Sequence, residues 1–387
     1  MKLPIYLDYN STTPVDPRVL ETMLPYFSEK CGNAASKTHR FGWVAEEAVE
    51  NAREKVANLL KAEPSEIIFT SGATEAINLS IKGVFEAYHT KGNHIITVST
   101  EHKAVIDCCK KLEKQGAAVT YLPVNREGLI DLKELENVIS DKTILISVMF
   151  ANNEIGVIQP IREIAEIAHK HNLTFLSDAT QAAGKIKVDV QEQHIDLMPL
   201  SAHKIYGPKG VGALFVRRKN PRVSLVAQMD GGGHEKNLRS GTLNVPGIAG
   251  LGKACEIAGK ELESSSKRIQ QLRDRLQSGF QKNIPGIKIN GSTTHRLPNT
   301  LNVSFKNVES HVLMKKLINE IAMASGSACT SAVPEPSYVL KALGLDNESA
   351  YSSIRFSLGK LTTQDEIDYA VKKVITEVEE IRKAVVH

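Results

Sequence analysis

The sequence predicts a wound α/β sheet with helices on both faces, followed by a smaller α+β domain. Three observations predict it. Short apolar runs alternate with helix-like stretches from residue 67 onward, those runs are continuously apolar, and the alternation stops after "GVGALFVRR". A strand with one wet face alternates apolar and polar residues, whereas a strand covered on both faces is apolar throughout. The runs therefore mark a mostly parallel, buried sheet.

Residues 43–60, "WVAEEAVENAREKVANLL", place Val44, Ala48, Ala52, Val56 and Leu59 on one stripe and predict an amphipathic helix. "EIIFTSG" then leads into "TEAINLSIKGVFEAY", "HIITVST" into "KAVIDCCKKLEKQ", and "AVTYLPV" into "DLKELENVI". "TILISVMF" leads into "IREIAEIAHK", with "LTFLSDAT" after it. Past a glycine-rich stretch, residues 253–283 read as a long charged helix bridging two domains. The remainder alternates strand and helix.

Composition narrows the function classes. The chain has 387 residues, 42% hydrophobic and 24% charged, with 48 Lys+Arg against 44 Asp+Glu. Interspersed signs and a net charge of +4 give no electrostatic footprint for nucleic acid. No run approaches the roughly 20 apolar residues of a membrane span, and "MKLPIYLDYN" lacks a signal-peptide core, so the expected location is the cytoplasm. Five cysteines (Cys31, Cys108, Cys109, Cys255 and Cys329) make no disulfide framework, and none has zinc-finger spacing, so no metal site is expected.

Ligands of α/β sheets bind beyond the carboxyl ends of strands, so the residues there carry the chemistry. "TSGATEA" (70–76) ends one strand and starts a helix, where backbone N–H groups at Ala73 and the Thr74 hydroxyl make an anion cradle or an ordinary N-cap. His102, Asn153, Asp178 with Gln181, and Ser201-Ala202-His203-Lys204 follow later strands. A lone lysine or aspartate is ordinarily a solvated charge or a cap. Several strand ends together suggest one pocket for an anion, an aromatic ring and an amine. Those needs match pyridoxal phosphate, in which a lysine forms a Schiff base, an acid pairs with the pyridine nitrogen and a helix N-terminus takes the phosphate.

The blocks "YLDY…TTP", "TSGATEA", "TEHKAV", "NNEIG", "DATQ", "HKIYGPKG", "GGGHE…RSGT", "SGSACTSA", "EPSYVL" and "SSIRFSLG" occur in order along the whole chain. With them the sequence resembles the class V, fold-type I pyridoxal-phosphate enzymes, and closely the group I cysteine desulfurases of iron–sulfur cluster assembly. The resemblance implies a mostly parallel seven-stranded sheet in a large domain (16–261). It implies a small domain from 1–15 and 262–387 that carries the cysteine loop, with the N-terminal strand grouped there by analogy.

It also implies roles. Lys204 carries the cofactor and shuttles protons, Asp178 pairs with the ring nitrogen, Gln181 bonds the phenolic oxygen, and His102 stacks on the ring as an acid/base group. Ala73, Thr74, Ser201 and His203 hold the phosphate. Thr242 of the Arg-Ser-Gly-Thr block reaches the phosphate in a partner subunit, which makes the enzyme a homodimer. Asn153 and Arg355 hold the substrate carboxylate, and a guanidinium suits a carboxylate because it binds in a bidentate fork. Cys329 takes sulfur from L-cysteine as a persulfide, leaving L-alanine, on a loop whose small residues let it travel to sulfur-acceptor proteins, an iron–sulfur scaffold or a tRNA-thiolation relay. His102 or the substrate amine accepts the thiol proton.

Rival readings are a selenocysteine lyase or an aminotransferase on the same fold, and a non-enzymatic binder. An aminotransferase needs no cysteine at 329, and a binder needs no complete set of Lys204, Asp178, His102 and Cys329. The sequence departs from the family's usual wording at Asn10-Ser11, "GNAAS" (32–36), Leu176-Ser177 and Ala202. Alanine at 202, where glycine is frequent, requires a backbone that avoids positive φ there.

Overall fold

The computed structural model describes residues 2–325 and 336–385. Seven strands form the central sheet: β2 (Ile67–Thr70), β3 (His94–Val98), β4 (Ala118–Leu122), β5 (Thr143–Ser147), β6 (Thr174–Leu176), β7 (Leu197–Ser201) and β8 (Gly212–Val216). Their order is β2-β8-β7-β6-β5-β3-β4. All neighbours are parallel except β8, which runs antiparallel to β2 and β7. Strands β2, β3, β5, β6, β7 and β8 are buried along their whole length, which explains their continuous apolar character. Two apolar cores cover the two sheet faces, one built on Ile67, Phe69 and Phe175, the other on Ile68, Leu145 and Leu176. Adjacent residues divide between them, as strand geometry requires.

A short N-terminal strand, β1 (Ile5–Tyr6), pairs in parallel with β11 (Ile321–Ala322), and Ile5 and Leu7 enter a third core. That core lies between a three-stranded antiparallel sheet and helices 269–283 and 364–385. The sheet is β9 (Ile287–Ile289), β10 (Thr300–Phe305) and β12 (Ser353–Ser357). Phe280, Phe305 and Phe356 are fully buried at its centre, ring against ring.

Two predicted elements differ from the observed ones. The bridging helix runs over Val245–Asn283, starting eight residues before the expected 253. Its first turn is held by the Asn244 side chain, which accepts from the Gly247 N–H at 3.1 Å. "VPGIAGLG" reads as a breaker run, but Pro246 sits in the first turn, where its missing N–H costs nothing. Gly252 lets the helix touch Ala52 at a distance that a Cβ would violate. The earlier helix spans Arg40–Leu60, and its buried stripe is Ala45, Val49, Ala52, Val56 and Leu60, whereas Val44 and Leu59 are only partly buried. Long helices drift at 3.6 residues per turn, so a stripe drawn by fours slips by one position.

A buried ion pair ties the "GGGHE" block to the sheet. Arg53 Nη2 and Nη1 donate to Glu235 at 2.8 and 2.9 Å, and Glu235 also accepts from the Phe69 N–H at 2.7 Å. Both side chains are under 10% exposed. Removing Glu235 leaves buried Arg53 with only the half-exposed Glu50 carboxylate and leaves the Phe69 N–H without its acceptor, so Glu235→Ala should lose about 3–5 kcal/mol in denaturant unfolding. The double variant Arg53→Met/Glu235→Leu should recover most of that loss. A single-variant change below about 1 kcal/mol would contradict this account.

Candidate active site

The carboxyl ends of β2, β3, β5, β6 and β7 open on one cavity of about 500 Å³. Ala73, Thr74, His102, Asn153, Asp178, Gln181, Ser201, His203 and Lys204 all line it. The fold thus brings together nine expected residues that the chain spreads over more than 130 positions.

At the end of β2, Ser71-Gly72 turn the chain into helix Ala73–Ala87. Gly72 adopts φ 154°, which L side chains rarely adopt, and it lies against Gly212, whose added Cβ would fall 2.7 Å from the Gly72 Cα. No side chain caps this helix. Thr74 is therefore not an N-cap, and the first N–H groups of a 15-residue helix face the cavity, where a dipole favours an anion. Glu75 stabilises the turn by accepting from the Ser71 N–H at 2.8 Å and pairing with Arg239 at 2.8 Å. Burial opposes its ionisation, but Arg239 and Ser71 outweigh burial and hold its carboxyl below the usual range.

After β3, His102 caps helix Lys103–Glu113: its Nδ1 accepts from the Ala104 N–H at 3.1 Å. With Nδ1 an acceptor, the proton of the neutral ring sits on Nε2. After β6, Asp178 is buried and accepts from the Thr180 N–H at 2.9 Å. After β7, a single 3-10 turn (Ala202–Lys204) presents His203 and Lys204. Ala202 is not among the positive-φ residues, and the left-handed position falls on Tyr206 instead, as an alanine there requires.

Lys204 Nζ donates to the backbone carbonyls of Asn10 and Ser11 at 2.6 and 2.7 Å. Burial, with Arg355 nearby, lowers its ammonium to about 8, against the opposing pull of Asp8 and Asp178. Burial and the charges of Lys204, Lys209 and Lys185 push His203 down to about 4, so at neutral pH it is an uncharged ring bonded to the Thr12 hydroxyl at 3.1 Å.

Two expected residues lie off the cavity wall. Arg355, on β12, donates from Nη2 to Asp8 at 2.7 Å and Ser11 at 2.8 Å, and from Nη1 to the Asn153 carbonyl at 2.9 Å. It reaches the site through Ser11 and Asn153, which do line the cavity. Thr242 is exposed on the surface of the chain. Cys329 lies outside the described residues. The chain on either side of it is bonded to the site: Ala324 exchanges backbone hydrogen bonds with Arg355, Ser337 donates to Glu154 at 2.5 Å, and Tyr338 donates to the Glu101 carbonyl at 2.6 Å. Of the remaining cysteines, Cys31 is exposed, and Cys108, Cys109 and Cys255 are buried, where burial raises all three thiols.

Sequence reasoning missed the arm 10–12, which lines the cavity or bonds to its residues, and also Glu101, Asn152 and Lys185. Asn10 stands at the centre of this polar network: its Nδ2 donates to the Asn153 carbonyl and Thr300, and its Oδ1 accepts from Asn299 and Lys185. Glu101 is fully buried, accepts from the Met149 N–H at 2.5 Å and is pushed well up by burial and by Asp178. A run such as "DYNST" carries no periodicity. The available signal was its departure from the family's wording at Asn10-Ser11.

Comparison with known proteins agrees with this geometry. Residues 5–370 match the class-V aminotransferase family, and the chain belongs to it. A cysteine desulfurase IscS of Anaeromyxobacter sp. (strain Fw109-5) is 55% identical over 383 residues, 99% of this chain and 94% of that protein. Among solved structures, a NifS-like protein superposes with a TM-score of 0.90 at 41% identity, over 97% of this chain and 99% of its own. SspA in complex with cysteine superposes with a TM-score of 0.82 at 37% identity, over 93% of this chain and 100% of its own.

The enzymes of this class depend on pyridoxal phosphate, and the cavity fits it. An uncapped helix start suits a phosphate, the buried Asp178 carboxylate suits a protonated ring nitrogen, and Lys204 offers an amine whose proton is held less tightly than usual, at about 8. The free amine is the reactive form, so its availability rises as pH passes upward through about 8 rather than through the ordinary 10.5. Labelling of the cofactor-free protein with an amine-selective reagent, read by peptide mass spectrometry, should show that lower midpoint at Lys204. A midpoint near 10.5 would contradict the assignment.

Proposed function

We propose that this chain is a pyridoxal-phosphate-dependent cysteine desulfurase that converts L-cysteine to L-alanine. It takes the sulfur as a persulfide on Cys329 and passes it to acceptor proteins for iron–sulfur cluster assembly. The observation that carries this reading is one cavity that joins an amine, a ring-nitrogen acid and an anion-binding helix start, in a chain 55% identical to a desulfurase. A solved relative that binds cysteine supports the substrate.

When bound, pyridoxal phosphate supplies an electron sink for charge released at the substrate Cα. In this reading the chain's own residues do the rest. The N–H groups at Ala73 and Thr74, with Ser201 and the uncharged His203, would hold the phosphate. Asp178 would keep a proton on the ring nitrogen, Gln181 would donate to the phenolic oxygen, and His102 would stack on the ring. Lys204, in its free-amine form, takes the proton from the substrate Cα and returns one to the product.

Asn153 and Arg355 hold the substrate carboxylate. The Arg355 Nη groups already serve Asp8, Ser11 and Asn153, while its Nε is buried with no partner among the described residues, so the guanidinium keeps a donor in reserve. Cys329 attacks the substrate sulfur as a thiolate, with its proton held by the substrate amine, or by His102 on Nδ1 once the Ala104 N–H bond there opens. An S–S bond forms as the Cβ–S bond breaks. The electron pair stays on Cβ, which takes a proton and becomes the methyl group of alanine. L-cysteine plus enzyme thiol gives L-alanine plus enzyme persulfide, with no outside oxidant or reductant.

The reading extends to a homodimer in which the exposed Thr242 reaches the phosphate of the partner site, and to the cytoplasm. Among the described residues no helix is long and apolar enough to cross a membrane. We also place the domain division at 261/262. The bridging helix buries Val245 to Ile257 in the larger core and Ile269 to Phe280 in the smaller one, which supports that boundary.

Cys329→Ser should keep the yellow cofactor band and still respond spectrally to L-cysteine, yet release no sulfide. Wild-type turnover in that variant would overturn the assignment of the nucleophile.

A further inference from the structure

Lys185 lies four residues beyond Gln181 in a run of turns and within the same polar cluster as Lys204, yet no role in the reaction has been given to it above. Its Nζ donates to the Gln181 Oε1 at 2.5 Å and to the Asn10 Oδ1 at 3.2 Å. The Gln181 Nε2 donates to the Asn10 backbone carbonyl at 2.9 Å. A backbone carbonyl only accepts, so this bond orients the amide with its nitrogen toward Asn10 and its oxygen toward Lys185. The Asn10 side chain is oriented in the same way, because its Nδ2 donates to the Asn153 carbonyl at 3.1 Å. Its oxygen is thereby left to face Lys185.

Gln181 is buried and lines the cavity, and its second Nε2 hydrogen has no acceptor among the described residues. We propose that Lys185 is a positioning residue that holds the oxygen end of the Gln181 amide, so that the amide's free N–H is aimed at the phenolic oxygen of the cofactor. The inference rests on the pyridoxal-phosphate reading of the site. Without Lys185, the Gln181 oxygen loses its donor and the amide is held by its single bond to the Asn10 carbonyl, which leaves its orientation less fixed. An oxygen turned toward a phenolic oxygen would repel where an N–H attracts.

Burial, with Lys204 and Arg355 nearby, lowers the Lys185 ammonium well below its usual range. The assignment does not depend on its charge, since either protonation state has two N–H groups for its two acceptors. Ser266, on the bridging helix, donates to the Lys185 carbonyl, so the backbone at this turn is anchored independently of the side chain.

The test is a double-mutant cycle on the cofactor-loaded protein, with Lys185→Met, Gln181→Ala and the pair. The readouts are the visible absorption maximum and the cofactor dissociation constant, and thermal melting of the cofactor-free forms checks folding. Lys185→Met should move the maximum and weaken cofactor binding about tenfold, the scale of one buried hydrogen bond. In the Gln181→Ala background the same substitution should add nothing. An unchanged Lys185→Met, or an equal effect with and without Gln181, overturns the proposal. If Lys185→Met does not fold, Lys185→Gln replaces it in the same cycle. Wild-type protein that takes up no cofactor would sink the parent reading instead, so the two failures are separable.

Discussion

Three cations, Lys204, Lys185 and Arg355, converge on one short arm of chain, residues 8–11, and the site depends on how that arm receives them. Lys204 is held by two of its carbonyls, Lys185 by the Asn10 side chain, and Arg355 by Asp8 and Ser11. Burial and mutual repulsion disfavour the charged form of an amine. Here they lower both lysines. The outcome is an amine that gives up its proton more readily than usual, beside a guanidinium: a base placed next to an anchor for a carboxylate.

The same arm joins the larger and smaller cores. Its leading strand pairs with β11 and enters the smaller core, and the next residues reach the strand ends of the seven-stranded sheet, where Thr13 bonds to His203. The C-terminal part of the chain returns the contact through Arg355 and through Ser337 and Tyr338, which bond to Glu154 and the Glu101 carbonyl. Burial pushes the Glu154 carboxyl up to about 7 against the pull of Ser337 and Arg355. The site is thus bordered by groups from distant parts of the chain that only the fold brings together.

Much of this was legible in the sequence for a physical reason. A strand buried on both faces shows as a continuous apolar run, and a parallel sheet puts the following residues on one edge, so Asp178, Ser201 and Lys204 could be placed together before any coordinates. Irregular segments escaped. The arm at Asn10, the buried acid Glu101 and Lys185 have no periodicity, and their partners lie up to several hundred residues away. The start of the bridging helix was hidden by glycines that serve close packing against Ala52 rather than a break. Thr74 could not be decided between cap and cradle, because that depends on whether any side chain reaches the helix start, and none does.

The central claim is that sulfur leaves L-cysteine by transfer to a protein thiol. The most direct measurement is peptide mass spectrometry of the cofactor-loaded enzyme after one turnover with L-cysteine, trapped with an alkylating reagent and paired with alanine quantification. The account predicts one added sulfur atom on Cys329, in proportion to the alanine formed. Alanine produced while Cys329 stays unmodified would contradict it.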